Sequence, residues 1–350
     1  MSERVVATAE ASRSTGAVAA GPAARPAVAR LIAGYGAIAC ALPYLALKVV
    51  WLSGGTLGIA DLTMMHDTSM VALNAVTAGM DVVAIVIAVA FTHRWGLRVP
   101  AWVVLPPMWV ATGLLSKFAL EVPVTVITEA LTSAARPRVA GGPVQFWVYA
   151  VVYTEFVGLG IGLMVAFVLY ARIRWAFVFG STTRAASPSA TLDVQVSLAN
   201  AAALMATAVG GLYVAWAFGS TVGLPDIAAR RTLSSHLING IDGAVIIGAG
   251  VGVLVLVHQW GRQVPLWLPV TLTWVGAGFL FSWGLWHMIN VLPNTALVRG
   301  RAQDMAFVNL LGLVQLLAGL VIGLVMLFLL AEKQNEGRER TTRPAMASST

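Results

Sequence analysis

The sequence predicts an all-α membrane protein of eight transmembrane helices, built as two parallel four-helix repeats, and three observations carry that prediction. Hydrophobic residues make up 58% of the chain and charged ones only 11%, with a mean hydropathy of +0.82, whereas soluble domains give about a quarter of their residues to charge. Several runs nearly free of charge reach the roughly 20 residues that cross a hydrocarbon core of about 30 Å. The text also repeats itself. Trp51 to Asp61 returns as Trp216 to Asp226, an offset of 216 − 51 = 165 that persists through Asn74 and Asn239, His93 and His258, Trp95-Gly96 and Trp260-Gly261, Pro100 and Pro265, and Trp109 and Trp274. Repetition on this scale marks a duplicated structural unit.

In chain order, residues 1–30 are rich in Ala, Ser, Gly and Arg, with Pro22 and Pro26, and read as a disordered cytosolic tail without the apolar segment of a signal peptide. The first repeat, 31–170, carries spans near 31–52, 70–91, 101–120 and 146–170. A linker over 171–196, containing Ser181-Thr182-Thr183 and Ser187-Pro188-Ser189, shows no apolar period. The second repeat, 197–331, carries spans near 197–218, 237–257, 266–286 and 305–330, and residues 332–350 form a second charged, disordered tail.

Orientation follows from the basic residues. Arg94 and Arg98, Arg172 and Arg174, Arg262, and the group from Lys333 to Arg343 fall in alternate connections, which the positive-inside rule assigns to the cytoplasm. Both termini are therefore expected inside a multi-pass protein of the cell membrane. The net charge of +7 reflects that bias and no nucleic-acid patch. Arg136, Arg138, Arg230, Arg231, Arg299 and Arg301 lie on the opposite side and weaken the contrast, among Asp61, His66, Asp67, Glu121, Glu129, Asp226 and Asp304. Four spans per repeat is an even number, so the halves enter the membrane the same way and a pseudo-twofold axis along its normal relates them. The lone Cys40 allows no intramolecular disulfide.

Features present in both halves serve the shared scaffold. The Trp-Gly-x-x-Val-Pro-x-Trp turn sets indoles at headgroup depth and starts the next helix on Pro100 or Pro265. Gly158/Gly162 and Gly319/Gly323 are pairs at which helices approach closely. Asp61 and Asp226 cap a turn or line the mouth of a site.

The informative residues are those that differ. Lys48, Asp81, Lys117 and Glu155 stand where the second repeat has Tyr213, Ile246, Ser282 and Leu316, and Asp242 stands where the first has Thr77. An ionisable group inside a span costs about 2.5–3.5 kcal/mol on insertion scales and faces a protein interior or cavity. Helical spacing gathers Asn74, Thr77 and Asp81 on one face, His236, Asn239 and Asp242 on another, and Trp283, Trp286, His287 and Asn290 on a third. A polar, aromatic cavity toward the outer leaflet follows. The competing structural reading is that Asp81 or Glu155 pairs with Lys48 or Lys117 merely to hold helices together.

Neither a phosphate-binding loop, His-Glu-x-x-His, paired cysteines nor Asp-Asp-x-x-Asp occurs, so no metal and no cofactor are expected. A carboxyl withdrawn from water favours its neutral form and can act as an acid, and indole and phenol faces stabilise cations. Those two properties together suit acid-initiated cyclisation of an alkene. The eight-span plan, the Trp-x-x-Gly-Gly-Thr-x-Gly segment at Trp51 to Gly58 and the intramembrane Tyr153-Thr154-Glu155 resemble an actinobacterial membrane family that includes drimentine-type membrane terpene cyclases. That resemblance implies metal-free cyclisation of a farnesylated small molecule. The candidate catalytic carboxyls are Glu155, Asp81 and Asp61. Trp51, Tyr153, Asp242, Trp283, Trp286 and His287 are the candidates for contact with a hydrophobic, prenylated substrate. The alternative is a proton-coupled secondary transporter or permease of a small hydrophobic molecule, motivated by the repeats and the same carboxyls. A scaffold without turnover is the third reading.

Overall fold

A computed structural model describes residues 24–62, 68–132, 144–183, 191–224, 231–261, 263–291 and 306–347. Nine α-helices are found among them: α1 Ala24–Leu52, α2 Thr68–Thr92, α3 Ala101–Leu131, α4 Phe146–Arg174, the short α5 Ala176–Gly180, α6 Leu192–Ala217, α7 Leu233–His258, α8 Trp267–Val291 and α9 Ala306–Ala347. All but α5 are long and apolar enough to cross a membrane. The described residues form no strand, only the isolated bridges Ile59 to Val144 and Thr182 to Pro265.

The helices overrun several expected boundaries. α1 begins inside the tail assigned to 1–30, and α9 continues through most of 332–350. The first extension is mostly Ala and Arg and the second is rich in Glu, Arg, Lys and Gln, residues that hold a helix well in water. Within the linker 171–196, α4 ends at Arg174, α5 spans Ala176–Gly180 and α6 begins at Leu192. Residues 1–23 and 184–190 lie outside the described residues. α3 runs on past residue 120, so Glu121 and Glu129 belong to a helix and not to an outer loop.

Local geometry repeats with the text. Trp51 donates from Nε1 to the Leu57 carbonyl at 2.8 Å, and Trp216 to the Val222 carbonyl at 2.9 Å. In the same segments Gly54 and Gly219 have φ of +90° and +96°, and Gly58 and Gly223 have +77° and +73°, a region that only glycine enters cheaply. Val103 N–H bonds the Pro100 carbonyl and Leu268 N–H the Pro265 carbonyl, both at 3.1 Å. Each proline thus opens its helix where the missing N–H costs nothing.

In the first half α1 packs on α2 and α4, and α4 packs on α3; in the second, α6 packs on α7 and α9, and α8 packs on both of these. Each half has its own core, around Phe91, Met108, Leu163 and Tyr170 in one and Ala206, Val253, Leu280 and Ile322 in the other. The halves join where α3 crosses α8. There residues at the repeat offset meet one another: Trp109 Nε1 donates to the Trp274 carbonyl at 3.1 Å, and a methyl on Gly113 would lie 2.0 Å from the Gly278 oxygen. Residues 181–183 bind the second half, with Thr183 N–H on the Val264 carbonyl and Leu266 N–H on the Ser181 carbonyl.

The two Gly-x-x-x-Gly pairs serve different neighbours. Gly158 rests on Cys40 and Gly162 on Ala33 and Ala37 of α1, whereas Gly319 rests on Ala277 and Phe281 of α8 and Gly323 on Trp109 of α3. They align at 323 − 162 = 161, four residues out of step with the main repeat. Four residues at 3.6 per turn rotate a motif by about 40° around its helix.

Candidate functional site

Among the described residues two ionic clusters lie inside the bundle, each made of one lysine and two carboxyls. In the first half Lys48 of α1 bonds Asp81 of α2 at 2.6 Å, with Lys48 1% exposed. The Lys48 ammonium also sits 4.1 Å from the Tyr44 ring centroid, a cation–π contact in a dry setting. Glu155 of α4 completes the group. It is fully buried, has Asp81 and Lys48 as charged neighbours, and neither of its oxygens has a hydrogen-bond partner among the described residues.

The second cluster bridges the halves. Lys117 of α3 reaches Glu121 one turn along at 2.5 Å and Asp242 of α7 at 2.6 Å. Its ammonium lies 5.2 Å from the Trp283 ring and 5.4 Å from the Phe279 ring. Lys117 faces a cavity of about 380 Å³ walled by Tyr213, Phe279, Trp283 and Trp286, with His287, Asn290 and Gln315 as polar lining and Val308 and Leu311 as apolar lining. Gln315 Nε2 donates to the Tyr213 hydroxyl at 3.1 Å, and His287 Nε2 is 3.0 Å from Asn309 Oδ1. The Trp283 indole N–H is buried and has no partner among the described residues. A chain of ring contacts joins the clusters: Tyr44 to Phe156 at 6.0 Å, Phe156 to Phe118 at 4.4 Å, and Phe118 to Trp283 at 5.9 Å.

Of the residues singled out from sequence, Trp283, Trp286 and His287 line this cavity, and Asp242 backs it through Lys117. Glu155 and Asp81 do not line it; they belong with Lys48, in the arrangement that the helix-holding reading describes. The Trp51 indole N–H is engaged by its own turn, and Tyr44 lies against its ring. Asp61 is exposed in the segment beyond α1. Tyr153 is 43% exposed on the outside of the bundle and stacks on Tyr149. His66, Asp67, Asp226 and Asp304 lie outside the described residues.

Sequence reasoning missed Glu121 as a partner of Lys117, although the two stand at i and i+4, because the expected third span ends at residue 120, just short of Glu121, while the helix continues to Leu131. Gln315 carried no signal at all, being one polar residue in an apolar helix. No protein-family model, curated protein or solved structure matches the chain. The functional reading therefore rests on this geometry.

Proposed function

We propose that the chain is a proton-linked membrane carrier of a small amphipathic molecule, bound in the aromatic cavity with its polar head at Lys117. The observation that carries this reading is that the charged group facing the cavity is an ammonium held by two carboxylates. Three formal charges there leave one negative charge in excess. A ligand head that engages Lys117 competes with Glu121 or Asp242 for it, and the displaced carboxyl, left unpaired in a largely buried site, is relieved by taking a proton. Ligand binding and proton binding then favour one another, which is the linkage a coupled carrier requires. Trp283, Trp286 and Phe279 supply the faces for the apolar part.

Acid-initiated cyclisation of a prenylated substrate is the second reading, in keeping with the resemblance to membrane terpene cyclases. The four aromatic walls favour it, since they would steady a carbocation. In this geometry Asp242 or Glu121, relayed past Lys117, would supply the proton, not Glu155, Asp81 or Asp61.

We further read the halves as parallel repeats about a pseudo-twofold axis along the membrane normal, with both termini cytoplasmic in the cell membrane. The meeting of Trp109 with Trp274 and of Gly113 with Gly278 supports the axis, and the basic turns support the orientation.

Reconstituted vesicles with an imposed pH gradient test both functional readings, using farnesylated carboxylates, quinones and indoles as probes. The carrier reading expects accumulation that follows the gradient and is lost in Lys117→Met and Asp242→Asn. A cyclised product in the same vesicles without gradient-driven uptake favours the cyclase. Neither uptake nor product would sink both.

A further inference from the structure

Glu155 is the buried ionisable group that neither functional reading uses. It has no solvent exposure, and both its oxygens lack a hydrogen-bond partner among the described residues. The groups facing it can be counted by helix. α1 contributes Lys48 and the Tyr44 phenol, α2 contributes Asp81, and α3 brings the apolar Phe118 ring against Phe156 and Leu115 against Gly160. The Lys48 ammonium is already committed to Asp81 at 2.6 Å. A metal ion is disfavoured because that ammonium stands in the place a cation would take.

One positive and two negative formal charges in a water-free contact are unstable, because the second carboxylate bears the full desolvation cost of an ion with nothing to offset it. A single proton removes the problem. It makes one carboxyl a donor, and the neighbouring carboxylate is the acceptor at hand. We propose that Glu155 and Asp81, beside Lys48, form a proton-binding site in the first half, in which Glu155 carries one exchangeable proton and donates it to the Asp81 carboxylate that Lys48 holds.

The site lies where α4 rests on α1, through Gly158 on Cys40 and Gly162 on Ala33 and Ala37. Loss of the proton sets two carboxylates against each other there and loosens that contact. Phe156, the residue after Glu155, stacks on Phe118, the residue after Lys117. Movement of α4 therefore reaches the wall of the cavity through Phe118 and Trp283.

Infrared difference spectroscopy on the full chain in nanodiscs, recorded across a pH step, reads this proton as the C=O stretch of a protonated carboxylic acid that exchanges slowly in heavy water. The expected result is a titrating band that shifts when the wild-type protein carries ¹³C-labelled glutamate, persists in Glu121→Gln and Asp242→Asn, and is lost in Glu155→Gln. Labelling in the Glu121→Gln background leaves the proposed site unaltered and keeps the test open if Glu155→Gln does not fold. A slowly exchanging band that ignores the glutamate label, one that survives in Glu155→Gln, or no such band at all overturns the proposal. The proposal is independent of the carrier reading, whose failure would appear as absent transport with the band intact.

Discussion

Lys48 and Tyr213 occupy the same place in the repeated text, as do Asp81 and Ile246, yet the two halves use that place in opposite ways. In the first half it is filled by an ion pair and sealed, with Lys48 and Glu155 out of reach of water. In the second, Ile246 joins the apolar core and Tyr213 turns its hydroxyl to Gln315, leaving a cavity of about 380 Å³. The cavity's charge is borrowed, since Lys117 reaches it from α3 of the first half. The two halves thus differ: one holds a closed polar contact, and the other lines an open pocket whose ammonium comes from the first.

The largest effect should come from breaking the sealed cluster. Lys48→Ala leaves Asp81 and Glu155 facing each other without a cation, and loss of one partner from a buried pair costs about 3–5 kcal/mol. Replacing all three residues by their counterparts, Lys48→Tyr, Asp81→Ile and Glu155→Leu, removes the charges together and should cost less than the single change. Denaturant unfolding in detergent micelles checks the order. If the triple variant is the weaker, the ionic cluster stabilises the half outright, and the comparison must be redrawn.

Much of this contrast is legible in the sequence itself. Composition gave eight spans because a bilayer demands apolar length, and the offset of 165 identified the positions where the copies diverge. Lys48, Asp81 and Asp242 emerge that way, and Glu155 from the fourth-span offset of 161. The Lys48–Asp81 pair is among the pairings the sequence allows, but the choice of partner is not legible, because partners on different helices are set by rotation and tilt, which apolar periodicity fixes poorly when a helix is hydrophobic all round. Glu155 was therefore legible as buried but not as remote from the cavity, and Tyr153 looked like a lining residue although it faces outward. Glu121 was hidden by a boundary: water-exposed and membrane-buried carboxylates look alike at a helix end, and α3 simply continues to Leu131.

A second comparison concerns the crossing of α3 and α8. Gly113 and Gly278 are counterparts in sequence, but their surroundings differ. A methyl on Gly113 would meet the Gly278 carbonyl oxygen at 2.0 Å, whereas one on Gly278 would meet the Trp109 oxygen at 2.9 Å and its ring at 3.1 Å. Overpacking of this kind costs about 1–3 kcal/mol. Gly113→Ala should fall at the upper end, because it would overlap backbone at 2.0 Å, and Gly278→Ala lower, because its nearest backbone atom is 2.9 Å away. Thermal unfolding of the two variants reads the difference. Equal losses would mean that the halves yield symmetrically at their contact.

The smallest effects test whether the repeated turn is the same device in both copies. Gly54 and Gly219 have open space around a would-be side chain, so substitution acts through backbone conformation alone. Their φ values of +90° and +96° place an alanine in the left-handed half of conformational space, at about 1–2 kcal/mol. Gly54→Ala and Gly219→Ala should therefore destabilise by matching amounts. Gly58 and Gly223 are different, because their positive φ is combined with contact: a methyl on Gly58 would strike Val148 and Trp147, and one on Gly223 the ring of Phe307. Alanine at either should cost more than at Gly54 or Gly219, and the excess measures how firmly the aromatic residue at the start of α4 or α9 clamps the turn. Should Gly54→Ala and Gly219→Ala part company, the turn in one half bears strain that the other does not, and the functional asymmetry would extend from the buried cluster to the rim of the bundle.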